Sequence, residues 1–560
     1  MMMKFFRKLH RAKKLFIIGS IILFSGLFAG FQQNDFEIAK NLDIFYTLFR
    51  EVNLLYVDHT DPAKLIESGI HGMLQSLDPY TNYIPEYKIE DYRFMQTGEY
   101  GGVGALFRQR DGKTYVVDPY EDSPASKAGM KAGDIVRKVD GKSIAGRSLD
   151  DLSEVFKGQP NTEVVMEIER PGSEELIELA VIREKIEMKS VPHYQMLDDK
   201  TAYIKLNSFT TKAFTEVKGA LVELQKNQGA KCVVLDLRGN PGGLLIEAVK
   251  IVNLFVNKDQ EVVSTRGKVE MQNKSYKTMV APYDTVMPVV VLVNSKSASA
   301  SEIVSGALQD LDRGIVIGTR TFGKGLVQQT RDLSYNSKLK VTIAKYYIPS
   351  GRCIQALDYT HRNEDGSVGK VPDSLITKFS TQNGREVYDG GGVMPDIEVK
   401  NEKLSKIAVT LYAKDIIFDY VTNYCLQHDS VVPPGQFAFT DAEYDEFKNF
   451  VATRNFSYAT NSENAFSKLK KTAVKEKYYD KAKEQFDALE EILKNDLIKD
   501  MDTFKDDIVM LISEEILTRY YMKKGSIEYQ LKNDLLTKKA VEVLADESTY
   551  YGVLSGKLKL

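Results

Sequence analysis

Cysteine is scarce in this sequence, and the cysteines that occur lie far from one another. Only three are found in 560 residues, Cys232, Cys353 and Cys425, and their separation matches no metal-ligand spacing. We therefore predict buried or unreactive thiols rather than a disulfide bridge or a catalytic cysteine. Neither a metal centre nor a cofactor is predicted.

Net charge is also small. The chain carries 75 basic and 78 acidic residues, which leaves a formal charge of -3. Composition therefore gives no reason to expect nucleic acid or an acidic polymer as a partner. An apolar content of 43% with mixed charge is typical of globular cores, and a chain of this length is expected to hold several domains.

Histidine is missing from the turns where a catalytic base is usually presented. None of the six histidines lies in a Gly- or Ser-rich turn. They are His10, His59, His71, His193, His361 and His428. A Ser-His-Asp triad assembled from distant positions stays open, but no local motif indicates one.

The long apolar run of this sequence lies near its N-terminus. Six basic residues within positions 1–14 precede an uncharged stretch over residues 15–34. This pattern is typical of a signal peptide or of a single membrane anchor whose basic end stays inside. Because the apolar core is long and no A-x-A cleavage site is evident, we favour an uncleaved anchor. Residues 35–560 would then lie in the cell envelope, on the periplasmic side of the inner membrane.

Apolar residues recur at helical spacing in two further regions. Residues 35–95 predict amphipathic helices that are interrupted at Asp61-Pro62, and residues 403–560 predict a charged helical region that is broken at Pro433-Pro434-Gly435. We interpret both regions as packing modules, and they are the candidate surfaces for a homo-oligomer.

A β-rich segment over residues 96–185 contains a specific motif. The sequences SPASKAG (123–129), GDIV (133–136) and VDG (139–141) resemble the central signature of PDZ domains. Domains of that family bind an extended peptide by adding a strand to a sheet edge, and a Gly-rich loop takes the terminal carboxylate. The resemblance implies that Gly102, Val103, Gly104 and Ala105 form this loop. The alternative is a Gly-rich hairpin that only turns the chain.

Strands and helices alternate through residues 186–402. Strands are predicted at 201–206, 232–237, 286–293 and 314–318, with helices between them. Such alternation is typical of a mainly parallel sheet with covered faces. Functional loops are expected at the carboxyl ends of the strands, where the DLRGNPGG motif (236–243) and Ser299 are found.

A serine and a lysine follow neighbouring strands in the stretch 286–329. Ser297, Ser299 and Ser301 precede a predicted helix, and Lys324 lies between two glycines in a later loop. The first turn of a helix stabilises negative charge, and lysine acts as a base when burial lowers its pKa from about 10.4 toward 7 or 8. The pair predicts acyl transfer, although each of the three serines has helix capping as its alternative role.

The chain resembles the C-terminal processing peptidases, also called tail-specific proteases. The resemblance rests on SASASE (297–302), FGKG (322–325), the DLRGNPGG motif, LDPY (77–80) and the PDZ segment, which occur in the order of that family. It implies that Ser299 is the nucleophile, Lys324 the general base and Gln328 the group that orients the lysine. It also implies an oxyanion hole made by the amides of Gly243 and Ala300.

The same resemblance implies the architecture and the activity. We expect a multidomain α/β protein with a parallel-sheet serine protease core like that of crotonases and Clp proteases, an inserted PDZ domain, N-terminal helices and a C-terminal helical domain. The predicted segments are 1–34, 35–95, 96–185, 186–402 and 403–560. The implied activity is cleavage of envelope proteins near their C-termini, with the PDZ domain recognising the free end. Three departures are Lys296 before the serine motif, Val103 in the carboxylate loop, and the absence of a matching motif after Leu404.

Two other functions are compatible with parts of the sequence. Residues 318–325 fit G-x-x-x-x-G-K, most of a phosphate-binding loop, but Gly325 replaces the required Ser or Thr and a strand-like segment follows. A non-catalytic PDZ scaffold of the envelope is the second alternative. The joint presence of Ser299, Lys324, Gln328 and the Gly-Gly pair favours the enzyme.

Overall fold

The computed structural model describes residues 35–363, 365–400, 403–454 and 456–558. Contacts divide the chain into two units, with the boundary after Tyr83. The predicted signal or anchor segment, residues 1–34, lies outside the described residues. Among the residues that are described, no helix combines the length and the apolar character needed to cross a bilayer.

The N-terminal unit contains two helices, α1 (35–55) and α2 (Pro62–Gln75). Asp61 is the N-cap of α2, because its carboxylate accepts two backbone amides of the first turn at 3.0 and 3.3 Å. Pro62 occupies a first-turn position, where no amide donor is needed. The predicted interruption at Asp61-Pro62 is therefore the start of the second helix.

A β-rich domain opens the second unit. Its main sheet has five antiparallel strands in a row and a sixth on the side, with a separate two-stranded pair. The strand β1 (Asn82–Ile84) spans the boundary between the two units. The elements that follow it in chain order are α3 (Ile89–Thr97), β2 (Glu99–Gly102), β3 (Ala105–Arg110), β4 (Lys113–Pro119), α4 (Pro124–Lys127), β5 (Ile135–Val139), β6 (Lys142–Ser143), α5 (Leu149–Phe156), β7 (Glu163–Glu169), β8 (Leu176–Ile182) and β9 (Glu184–Glu187). The main row is β3-β4-β5-β7-β8, and β2 pairs with β9.

Residues 193–398 form the central region. Its elements in chain order are β10 (His193–Met196), β11 (Thr201–Lys205), α6 (Ala213–Gln228), β12 (Cys232–Asp236), α7 (Leu245–Val252), β13 (Glu261–Gly267), β14 (Lys274–Lys277), β15 (Val289–Val293), α8 (Ala300–Asp310), β16 (Ile315–Gly318), β17 (Leu326–Asp332), β18 (Lys338–Tyr347), β19 (Leu357–Arg362), β20 (Val368–Lys370), β21 (Lys378–Ser380), β22 (Glu386–Tyr388) and β23 (Ile397–Glu398).

The central sheet has the strand order β10-β11-β12-β15-β16-β23. The strand β10 runs antiparallel to β11, and every other neighbouring pair is parallel. All residues of β12 and β15 are buried, as expected when helices cover both faces of a parallel sheet. Since β12 and β15 are adjacent, the loops that follow them, 237–243 and 294–299, emerge at the same edge. A second sheet joins β14, β13, β18 and β17 in antiparallel order.

One predicted strand boundary was wrong. The strand expected from residue 286 begins at Val289, and Val286 is 78% exposed. The carboxylate of Asp284 accepts the amides of Val286 and Met287, both at 2.8 Å. This turn keeps the first apolar residues of the run out of the sheet.

Helices make up the C-terminal region. In chain order they are α9 (Lys406–Ala413), α10 (Ile416–Gln427), α11 (Asp441–Ala452), α12 (Asn461–Lys475), α13 (Lys483–Leu493), α14 (Leu497–Thr503), α15 (Lys505–Asn533), α16 (Leu535–Ala545) and α17 (Glu547–Leu554). The helix α15 is kinked at Met522, whose φ is 54°. Helices before this kink share a core of their own, whereas the chain after it packs on the central sheet.

Candidate active site

Ser299 lies between β15 and α8 in an unusual backbone conformation. Its φ of 56° and ψ of -114° are uncommon for a residue with a side chain, and it is the N-cap position of α8. Such a conformation is costly and persists where surrounding contacts impose it, which is frequent at functional sites. Ser299 is half-buried, whereas Ser297 and Ser301 are completely buried.

The hydroxyl groups of Ser297 and Ser301 have structural partners. Ser297 Oγ donates to the Leu237 carbonyl oxygen at 2.8 Å, and Ser301 Oγ donates to the Asn240 carbonyl oxygen at 2.9 Å. Both bonds fasten the start of α8 to the loop that follows β12. The hydroxyls of Ser297 and Ser301 therefore have structural roles on either side of Ser299, which leaves Ser299 as the candidate nucleophile among the three serines.

The Gly-Gly pair packs directly against Ser299. A Cβ atom on Gly242 would lie 2.8 Å from Ser299 Cβ and 3.0 Å from the Ala300 amide nitrogen, so only glycine fits. Gly242 also has a φ of 102°, which favours glycine. Within the described residues, the amides of Gly243 and Ala300 have no recorded acceptor. An oxyanion site requires amide donors of this kind, and the role of these two amides stays a prediction.

Lys324 lies in the loop between β16 and β17, and this loop is tied to Ser299 through Glu302. One carboxylate oxygen of Glu302, Oε2, accepts the amide of Ser299 at 2.8 Å and the amide of Lys324 at 2.9 Å. The other oxygen, Oε1, accepts the Gly323 amide at 2.7 Å and the Thr321 hydroxyl at 2.6 Å. The backbones of the two candidate catalytic residues are thus within two hydrogen-bond lengths of each other.

Glu302 is a site residue that the sequence reasoning missed. Its side chain is fully buried, and burial raises its pKa from 4.5 to about 7, against the four hydrogen bonds that favour the charged form. A usable signal was present, because serine followed three residues later by glutamate at a helix start is a capping-box pattern. The pattern predicts the bond to Ser299 but not the bonds to residues 321–324.

Gln328 and Tyr346 each make a hydrogen bond through their side chains. The side-chain amide of Gln328, on β17, donates to the Thr342 hydroxyl on β18 at 3.2 Å. The hydroxyl of buried Tyr346 donates to the Ser299 carbonyl oxygen at 3.1 Å. Lys324 is half-buried, and its side chain or backbone makes further polar contacts.

The remaining candidate groups are placed elsewhere or engaged differently. The segment after Lys324 is the strand β17, whereas a phosphate-binding loop opens a helix. Buried His193 bonds to Gln195 Oε1 at 2.9 Å, and the His428 ring stacks on Tyr424. Among the described positions, no group of three or more His, Cys, Asp or Glu side chains could hold a metal ion.

The predicted carboxylate loop precedes β3, an edge strand. Gly102, Val103 and Gly104 are buried, and Ala105 begins β3. The Val103 amide donates to the Phe156 carbonyl oxygen at 3.1 Å, at the end of α5. In the described chain β3 pairs only with β4, so no strand occupies its other edge, where a PDZ domain adds its peptide.

Comparison with protein-family models finds three matching regions. Residues 200–361 match peptidase family S41, residues 115–170 match a PDZ domain, and residues 407–544 match the description "probable PDZ-protease, C-terminal helical domain".

Two curated relatives match a longer stretch of the chain. A carboxy-terminal-processing protease of Bartonella bacilliformis is 38% identical over 355 residues, covering 62% of this chain and 81% of the relative. A probable CtpA-like serine protease of Staphylococcus haemolyticus is 35% identical over 352 residues, covering 61% of this chain and 69% of that protein. The solved structure of a photosystem II D1 C-terminal processing protease is 27% identical, covers 64% of this chain and 92% of that chain, and has a TM-score of 0.34.

Proposed function

Because the chain belongs to peptidase family S41 and is a serine-type peptidase with a PDZ domain, we propose that it cleaves proteins near their C-termini with a Ser299–Lys324 dyad. The observation that carries this proposal is the buried Glu302 carboxylate, one oxygen of which accepts the amides of both Ser299 and Lys324. A contact of this kind keeps the two loops at a constant distance, which proton transfer between a nucleophile and its base requires.

In the proposed reaction, the neutral amine of Lys324 takes the proton of Ser299 Oγ as this oxygen attacks the scissile carbonyl carbon. The amides of Gly243 and Ala300 donate to the oxyanion of the tetrahedral intermediate. Collapse of the intermediate expels the new amine, which takes the proton from Lys324. A water molecule, deprotonated by Lys324, then attacks the acyl-enzyme, and Ser299 Oγ leaves with the proton that Lys324 returns to it. Gln328, which bonds to Thr342, orients the lysine.

The PDZ domain would capture the substrate through its C-terminal end. The open edge of β3 accepts an extended peptide as a further strand. The amides of residues 102–105 receive the terminal carboxylate in this proposal. Since the Val103 amide is bonded to Phe156, binding that uses this amide requires the end of α5 to move away.

The location and the assembly are part of the proposal. The basic and apolar N-terminal segment supports export to the cell envelope, with the protease on the periplasmic side of the inner membrane, anchored or released. Exposed apolar side chains on α1, such as Leu42 and Leu48, are compatible with a homo-oligomer built through helical regions. We also assign the core to the sheet architecture of the crotonases and Clp proteases.

The first prediction concerns the dyad. We expect Ser299→Ala and Lys324→Ala each to lower cleavage of a peptide with a free apolar C-terminus by at least about 1,000-fold, because either change removes a group from the acyl-transfer machinery. Lys296→Ala is the matched control, since Lys296 is an exposed lysine beside the same motif, and it should leave cleavage unchanged. Circular dichroism checks that all three variants are folded.

Two results would contradict the proposal. Full activity in both dyad variants would show that other residues carry the reaction. A wild-type protein that binds C-terminal peptides but cleaves none would favour the scaffold function. In cells, the C-terminal ends of envelope proteins should differ between wild type and Ser299→Ala, and identical sets would contradict the substrate class.

A further inference from the structure

The last two helices of the chain cover one face of the protease sheet. Side chains of α16, α17 and the second half of α15 pack on alternate residues of β12, β15 and β16, whereas α6, α7 and α8 cover the opposite face. The C-terminal helices are therefore part of the catalytic region and not an appendage to it. This placement allows a residue of the helical region to act on the active-site loops.

Asp534 is the residue in the best position to do so. It lies between α15 and α16 and caps α16, where its Oδ1 accepts the Leu536 amide at 3.2 Å. Both carboxylate oxygens also face the guanidinium group of Arg238. Arg238 Nη1 donates to Oδ1 at 2.9 Å, and Nη2 donates to Oδ2 at 2.5 Å. A two-point contact of this geometry restricts the guanidinium in orientation as well as in distance.

The same guanidinium group is paired with Asp236 at the end of β12. Arg238 Nη2 lies 2.7 Å from Asp236 Oδ2, and Lys205 Nζ lies 3.2 Å from Asp236 Oδ1. Burial opposes ionisation of Asp236, but the cations of Lys205 and Arg238 hold its pKa well below the usual range. With Asp534 included, two cations and two anions balance; without it, one positive charge is left in excess.

The charge balance of this cluster matters for its stability because the charged side chains are buried. Only 15% of the Arg238 side chain, 9% of the Asp534 side chain and 1% of the Asp236 side chain are exposed. Removing one partner of such a pair leaves a poorly solvated charge, which costs far more than the loss of a surface ion pair. Arg238 is therefore expected to shift when Asp534 loses its charge.

A shift of Arg238 reaches the oxyanion donors directly. The next residue, Gly239, donates its amide to Asn294 Oδ1 at 3.0 Å, and the Asn240 carbonyl oxygen accepts the Ala298 amide at 3.0 Å. Gly242 then touches Ser299. The loop that starts at Arg238 is thus fastened to both sides of the nucleophile, and its entry point is held by Asp534.

We propose that Asp534 is a positioning residue for the peptidase reaction: through Arg238 it sets the position of loop 239–243, and hence of the Gly243 amide that faces the oxyanion. This inference rests on the proposed function, in which that amide is an oxyanion donor. The C-terminal helical region would accordingly be required for catalysis and not only for stability.

The test compares Asp534→Asn with Asp546→Asn in the full-length protein. Asparagine is also a good N-cap, so each variant loses one negative charge while keeping a cap. Asp546 caps α17 through Ser548 and Thr549, and its recorded contacts within the described chain are with that helix. We expect kcat of Asp534→Asn to fall about 10- to 100-fold with KM changed less than about 3-fold. Asp546→Asn should match wild type.

A second measurement separates positioning from partial unfolding. A peptide boronic acid binds serine peptidases as a tetrahedral adduct and so probes the oxyanion site. Its Ki, measured on the active fraction, should rise by about the same factor as kcat falls in Asp534→Asn. Asp534→Glu, which keeps the charge, should restore part of kcat.

Three outcomes have distinct meanings. Unchanged kcat and Ki in Asp534→Asn would overturn the positioning role. A lower kcat with unchanged KM and Ki would overturn it as well, because that result indicates fewer folded enzyme molecules. If wild type does not cleave, or Ser299→Ala cleaves equally well, the proposed function itself fails and the positioning role with it.

Discussion

At the residue scale, the hydrogen bonds of the Glu302 carboxylate hold two loops together, although burial disfavours its charge. Its carboxylate collects three backbone amides and one hydroxyl, which join the Ser299 turn to residues 321–324. The same side chain is fully buried, so the charge that attracts these donors is poorly solvated. The balance of the two effects leaves its pKa near neutrality, at about 7.

The pKa of Glu302 predicts a pH dependence of stability. Because the pKa is about 7 in the folded protein and 4.5 in the unfolded chain, the folded state binds more protons between these values. The contribution of Glu302 to the free energy of unfolding is therefore greatest below pH 4.5 and falls as the pH rises through 7, by on the order of 3 kcal/mol. Glu302→Gln should lack this slope.

Urea denaturation at pH 5 and pH 8 checks this prediction. The difference in unfolding free energy between wild type and Glu302→Gln should change by about 2.5 kcal/mol between the two pH values. Glu270→Gln, at an exposed position, is the control and should show no such change. A difference that is equal at both pH values would mean that Glu302 does not titrate in this range.

At the scale of elements, the loop after β12 packs so closely on the start of α8 that position 242 has no room for a side chain. Gly242 and Gly239 both have positive φ, of 102° and 75°. They differ in their surroundings, because a Cβ on Gly242 would meet Ala298 and Ser299 at 2.8 Å, whereas a Cβ on Gly239 would meet nothing within 4 Å. This contrast separates backbone strain from a steric clash with the nucleophile.

Gly242→Ala is therefore expected to abolish most activity. The added methyl group must displace Ser299 or the loop, and we expect kcat to fall by about 100-fold or more, since small misplacements of catalytic groups have effects of this size. Gly239→Ala introduces only the strain of a positive φ, about 1 kcal/mol, and should keep most of the activity. Equal activities of the two variants in a peptide-cleavage assay would contradict the packing argument.

At the scale of the whole molecule, helix α17 contributes a hydrogen bond to the central sheet. The hydroxyl of buried Tyr550, on α17, accepts the amide of Val289 on β15 at 2.9 Å, across 261 residues of sequence. This amide lies at the start of an interior strand, where water cannot replace the tyrosine. The C-terminal helices therefore supply polar contacts as well as an apolar cover.

Tyr550→Phe tests this contribution. Removing the hydroxyl leaves the Val289 amide without its partner, and we expect a loss of about 1–3 kcal/mol in the free energy of unfolding. Tyr551→Phe is the matched control, because Tyr551 is the next residue and is 50% exposed. Chemical denaturation should show almost no change for the control. A Tyr550→Phe protein as stable as wild type would show that this bond contributes nothing.

Several parts of the fold and the site could be predicted from the sequence because they depend on neighbouring residues. The strands predicted over 201–206 and 232–237 each agree with the structure to within one residue. The position of Ser299 at the start of a helix was also predictable, since β15, the turn and α8 are consecutive. The strand predicted from Val286 begins three residues later, because the Asp284 carboxylate accepts the amides of Val286 and Met287.

By itself, the sequence determined the order of elements, the motifs and the helix start at Ser299, because these follow from local periodicity and from residues three or four positions apart. Only the tertiary structure decided that the hydroxyls of Ser297 and Ser301 donate to carbonyl oxygens of the loop after β12. It also decided that Glu302 reaches residues 321–324 and that Asp534 reaches Arg238. The physical reason is that these contacts join residues distant in sequence, and their partners are selected by packing and by the need to satisfy buried polar groups.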